Sequence, residues 1–104
     1  MGEYNSEKWL DRIRGQECVM ASKLSPEMVR DGYGCCGKVS PHHMGHGYYK
    51  GSIKRHHDFS TIPLCFRHHR QIEDMGRPSF ENFYSLELRD VLIDILVEAT
   101  RETY

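Results

Sequence analysis

A paired histidine, His42-His43, followed by Cys65-x-x-His68-His69-x-x-x-Glu73, constrains this chain more than any other feature. Sulfur, imidazole and carboxylate donors at this spacing, bracketed by Pro63 and Gly76, suit metal ligation at the start of a helix. The chain has 104 residues, 38% of them hydrophobic, enough for one modest core. A domain of that size gains from a metal staple. A single domain over residues 1–104 is expected.

No apolar run is long enough to cross a membrane. Met1 to Asp11 is polar and acidic, unlike the basic start of a signal peptide. A reducing cytoplasm is therefore expected, where Cys18, Cys35, Cys36 and Cys65 read as thiolate ligands rather than disulfides. The net charge of −1 hides an uneven distribution. Residues 50–70 carry Lys50, Lys54, Arg55, Arg67 and Arg70 against Asp58 alone, whereas residues 71–104 carry a net −5. The basic middle, beside the histidines, can face phosphates; the acidic tail cannot.

Asn5 or Ser6 can cap a first helix with Trp9, Leu10 and Ile13 on one face and Gly15 at its end. Cys18 to Met20 reads as a short strand or turn, and residues 21–34 as an insertion holding a short helix begun by Ser25-Pro26 and closed by Gly32. Val39 and Pro41 suggest a strand delivering His42 and His43. Gly45, Gly47 and Gly51 mark a loop, and residues 52–62 offer a second strand. Pro63 should stop that strand and open a helix from about Leu64 to Met75, with Gly76 as its stop. Ser79 can cap the next segment and Ser85 can start a further helix. Leu88, Val91, Leu92, Ile95, Leu96 and Ala99 give the clearest amphipathic pattern, which Ile93 and Val97 widen toward a partner helix or a dimer contact.

Cys18, Cys35, Cys36, Cys65 and His68 are candidates for one structural zinc site, which takes four ligands in a tetrahedron. Of the adjacent pair, Cys36 is preferred because Gly37 frees the backbone to turn its amides toward sulfur. His69 and Glu73 share one helix face, and His68 and His69 point about 100° apart. One histidine can thus serve zinc while the other faces a second metal. His42 and His43, leaving a strand, point to opposite faces. The seven histidines all lie within residues 42–69, too dense a cluster for ordinary surface residues. A divalent cation held by His42, His69 and Glu73 leaves positions for a phosphate oxygen and a leaving 3′ oxygen. His43 can take a proton from water, since histidine titrates near neutrality. Lys54, Arg67 or Arg70 can hold a phosphate. This is the chemistry of phosphodiester hydrolysis, leaving 5′-phosphate and 3′-hydroxyl ends.

Cys36-Gly37-x-x-x-Pro41-His42-His43, the stretch from Asp58 to Ile62, and Pro63-Leu64-Cys65-x-x-His68-His69 together resemble the HNH endonuclease superfamily with its ββα-metal motif. More narrowly they resemble its small phage and prophage members of the Ref and YbcO types. The resemblance covers about residues 15–76 and leaves a helical extension at about 79–102 outside it. It implies an α+β fold, a zinc-stapled ββα-metal core with additional N- and C-terminal helices. By position, His42 and His69 match metal ligands, His43 the general base, and Cys65 and His68 the structural zinc pair. Glu73 stands where many members have a final histidine ligand, which moves the preference toward Mg²⁺ or Mn²⁺, with Zn²⁺ the third candidate. The motif's middle asparagine has no counterpart between Asn5 and Asn82; Asp58 or Ser60 is the candidate there to orient His43. The implied function is a phage-encoded DNA endonuclease in recombination, replication or DNA degradation, working in the host cytoplasm. The alternatives are a non-catalytic zinc-containing nucleic-acid-binding module and a phage adaptor whose acidic C-terminal helix docks a protein partner.

Overall fold

A computed structural model describes residues 6–44 and 59–103. Helix α1, Glu7–Arg14, begins where the Ser6 hydroxyl accepts the Trp9 amide at 3.1 Å and ends at Gly15. Such a cap satisfies one of the amides that a helix start leaves without an internal partner. The helix buries Ile13 and lies against a β-hairpin, where the Trp9 indole N–H donates to Thr61 Oγ1 at 3.0 Å. Arg12 reaches Glu102 at 2.8 Å, and that pairing holds the Glu102 carboxyl below its usual range. Cys18 to Met20 forms no strand. It leads into a 3-10 turn, Val19–Ser22, that carries Met20 into the core.

Helix α2, Pro26–Met28, starts as its Ser-Pro sequence predicts: the Ser25 hydroxyl accepts the Met28 amide at 3.2 Å. It runs into a π-helical turn, Val29–Tyr33, broken at Gly32. Strands β1, Ser40–His43, and β2, Thr61–Leu64, then pair antiparallel. Ser40 faces Leu64, Pro41 faces Pro63, His42 faces Ile62 and His43 faces Thr61, and the ladder continues with the Met44 amide on the Ser60 carbonyl at 2.8 Å. Pro63 therefore lies inside the second strand and does not end it. Hydrogen-bonded and non-hydrogen-bonded pairs alternate along an antiparallel ladder. Because residues 44 and 60 are bonded, the two prolines occupy a non-bonded pair, where their missing N–H groups cost nothing. The glycines expected to form the loop, and residues 52–58 of the expected strand, lie outside the described residues.

Helix α3, Phe66–Met75, opens one residue after Cys65 and ends at Gly76, whose φ of 84° is costly for any other residue. Helix α4, Arg77–Tyr84, has Pro78 in its first turn, so Ser79 sits inside it rather than at its cap. Ser85 adopts a left-handed conformation and separates α4 from α5, Leu88–Thr103, instead of starting it. The Glu81 carboxylate accepts the Leu88 amide at 2.7 Å and so caps α5. The amphipathic pattern of α5 holds: Leu88, Val91 and Leu92 join Ile62, Leu64, Ile72 and Phe80 in the core, while Ile93 and Val97 are half exposed. Each such burial contributes on the order of 1.5–3 kcal/mol. No helix among the described residues is long and apolar enough to cross a membrane.

The Trp9–Thr61 contact ties α1 to the strand that precedes α3. Trp9→Phe keeps an aromatic ring and removes the indole N–H that donates to Thr61. It should cost about 1 kcal/mol and lower Tm by roughly 4–8 °C in a thermal melt followed by circular dichroism.

Candidate metal centres

Three segments that are far apart in sequence meet at the start of α3. Cys18 precedes the 3-10 turn, Cys35 lies in the loop before β1, and Cys65 and His68 belong to the α3 N-terminus. Their ligand atoms all lie within 4.8 Å of one another. His68 Nδ1 is 3.2 Å from Cys65 Sγ and 3.8 Å from the sulfurs of both Cys18 and Cys35. Zinc–sulfur and zinc–nitrogen bonds at tetrahedral angles would separate N and S by about 3.6 Å, so the donors fit a four-coordinate zinc. The other ring nitrogen of His68 donates to the Tyr33 carbonyl at 2.9 Å, which fixes the tautomer and leaves Nδ1 as the electron-pair donor. The His68 ring is fully buried, and burial lowers its proton affinity, which also favours the neutral ligand form.

Cys35, not Cys36, is the fourth member of this cluster. Cys36 contributes its backbone instead: its amide donates to Cys65 Sγ at 3.4 Å, and its carbonyl accepts the Arg67 amide. Gly37 is what allows this close approach. Its φ is +90°, and a Cβ there would sit 2.5 Å from Phe66 Cβ. Burial pushes the Cys65 thiol up, but hydrogen bonds from the His68 and Cys36 amides, together with those from the Cys18 and Cys35 thiols, hold it below the ordinary thiol range. Burial, then repulsion from Cys18, pushes Cys35 up to about 12. Three thiolates cannot share so small a space without a positive charge among them, and a divalent cation reverses that balance.

Arg67, expected on a phosphate, is used here as a strap. Its guanidinium donates to the carbonyls of Gly32 and Gly34 at 2.8 and 3.0 Å and holds the cysteine-bearing loop against α3. Arg70 is exposed on the same helix. Lys54 and Asp58 lie outside the described residues. Ser60 is buried, with its carbonyl in the hairpin ladder.

A second group forms on the neighbouring face of α3. The ligand atoms of His42, His69 and Glu73 also lie within 4.8 Å of one another, a set that can hold a metal ion. His69 Nε2 is 3.2 Å from Glu73 Oε2, and the His42 and His69 rings meet edge to face with centroids 5.0 Å apart. Ser40, two residues before His42 on the same strand face, places Oγ 2.8 Å from His69 Nδ1. Sequence reasoning missed Ser40; its only sequence signal is the two-residue spacing to His42. His43 does not join this group. It pairs with Thr61, whose hydroxyl is turned to Trp9 of α1, so it leaves the strand on the face opposite His42.

A family model matches residues 1–99. The chain belongs to that family, described as Protein of unknown function (DUF968). No curated protein and no solved structure gives a significant match.

The ligand set separates the two adjacent cysteines experimentally. Cys35→Ser should lose bound zinc and melt well below the parent. Cys36→Ser should keep one zinc per chain and a near-parental Tm. Metal content after gel filtration, together with the melt, checks both outcomes.

Proposed function

We propose that this protein is a metal-dependent endonuclease of the HNH type that hydrolyses phosphodiester bonds in DNA. The observation that carries this reading is the convergence of His42, at the end of a two-stranded hairpin, with His69 and Glu73 on the helix that follows. The sulfur-rich cluster beside it gives that helix a fixed position, as the ββα-metal resemblance implies.

Two imidazoles and one carboxylate form a mixed donor set that suits Mg²⁺, Mn²⁺ or Zn²⁺. When bound, such a cation supplies Lewis-acid stabilisation of charge on the phosphate and the leaving 3′ oxygen. With a cation on Nε2, the His69 Nδ1–H would donate to Ser40 Oγ, 2.8 Å away, and so keep Nε2 directed at Glu73 and the shared site. His43 is assigned as the base that takes the proton of the attacking water, from the end of β1. The water oxygen bonds to phosphorus, the bond to the 3′ oxygen breaks, the departing oxygen takes a proton from solvent water, and the products are a 5′-phosphate and a 3′-hydroxyl. A second reading, a non-catalytic zinc-stapled nucleic-acid-binding module, draws support from one observation: His43 faces away from the His42 ring.

Incubation with plasmid and with single-stranded circles, under Mg²⁺, Mn²⁺, Zn²⁺ or EDTA, separates the readings. Nicking that needs metal, and that falls at least 100-fold in His43→Ala and in His69→Ala while the sulfur-bound zinc is retained, is the expected result. An absence of cleavage under every metal would leave only the binding module. Ser40→Ala should weaken Mn²⁺ binding by about 10-fold, read by titration of the zinc-loaded protein, without altering its fold.

A further inference from the structure

Four residues of α3 follow one another at i, i+3, i+4 and i+7: Phe66, His69, Arg70 and Glu73. That spacing places them along a single stripe of the helix. Two of them belong to the second metal group. The other two belong to neither metal group. Phe66 is 60% exposed, the largest exposure among the large apolar side chains, and stacks on no other ring among the described residues. Its Cβ lies close to Gly37, where an added Cβ would sit only 2.5 Å away. Arg70 is exposed and forms no ion pair among the described residues. Lys38, next to Gly37, is likewise exposed and unpaired there. An exposed aromatic ring, with two cations (Arg70 on the same stripe and Lys38 next to Gly37) that form no ion pair among the described residues, and one helical turn from a phosphate-directed site, costs solubility and contributes nothing to the core.

We infer that this stripe is a binding platform for single-stranded DNA, with an unpaired base stacked on Phe66 and a neighbouring phosphate held by Arg70. The inference rests on the nuclease reading for its choice of DNA. A phenyl ring offers no hydrogen bond and can recognise only a flat apolar face. In a duplex those faces are covered by the next base pair. In a single strand they are open, and stacking on an aromatic side chain is strong and tolerant of sequence. The two cations satisfy the charge of the backbone, and the spacing along α3 sets the stacked base beside the bond to be cut. Phe66 and Arg70 are thus the residues that select the strandedness of the substrate.

The test is fluorescence anisotropy with a labelled 20-nucleotide oligothymidine, a 20-base-pair duplex and an RNA of matching length. The full chain is used with its structural zinc and without added magnesium or manganese, so binding is read apart from cleavage. The single strand should bind at least about 10-fold more tightly than the duplex, and Phe66→Ala should lose about 10-fold on the single strand alone. Phe66→Trp should retain that affinity, and Arg70→Ala should weaken binding and flatten its salt dependence. Zinc content and far-ultraviolet circular dichroism verify that each variant is folded. Equal or tighter binding of the duplex, equal or tighter binding of RNA, or a Phe66→Ala protein that holds the single strand like the parent would overturn the inference. Metal-dependent nicking of duplex plasmid alone would overturn it too and leave the nuclease reading intact. Tight single-strand binding without cleavage would do the reverse.

Discussion

The meeting of Cys18, Cys35, Cys65 and His68 is the constraint on which the rest of this molecule depends. The four residues bring together three stretches of chain: the 3-10 turn after α1, the loop before β1, and the start of α3, which supplies two of them. Closing these long loops in an unliganded chain is opposed by conformational entropy, and a metal bond formed only in the folded state offsets it. The same junction is reinforced by interactions that need no metal. Arg67 straps the loop by two carbonyls, and the Cys36 amide and carbonyl both point into α3. Because His68 and His69 are adjacent, pinning one sets the direction of the other about 100° away. That direction is toward Ser40 and His42 on β1. The stability of the first cluster and the shape of the second group are therefore one problem in helix placement.

Electrostatics ties this placement to metal occupancy. The amides around Cys65 favour its thiolate, while burial and the neighbouring sulfur oppose ionisation of Cys35. A bound divalent cation would resolve these opposed tendencies. Folding and metal uptake are coupled in such an arrangement, since each ligand must lose its proton as the site closes.

Much of this organisation was legible in the sequence, and the failures have physical reasons. Ser6 and Ser25 act as helix caps because a hydroxyl before a helix has one nearby set of free amides to satisfy. The α5 periodicity holds because an apolar stripe that long has few other places to go. The pairing of His69 with Glu73 follows from helix geometry alone. The choice between Cys35 and Cys36 was not legible: it depends on which way the chain turns at Gly37, where Phe66, a residue distant in sequence, leaves no room for a side chain. Pro63 misled because proline usually ends a strand, and its tolerance here depends on the phase of the ladder. Ser40 was invisible because its importance arises only when β1 is laid against α3.

The facing prolines of the hairpin also act as a lock on alignment. Sliding either strand by one residue would bring a ring that lacks an N–H to a position that must donate, and would turn every side chain over. The misaligned hairpin would present Pro41 and His43 to α3 in place of Ser40 and His42. Pro41 and Pro63 supply no donor to either metal group, yet they forbid the nearest wrong alignment. They thereby decide which imidazole of the dipeptide meets the helix.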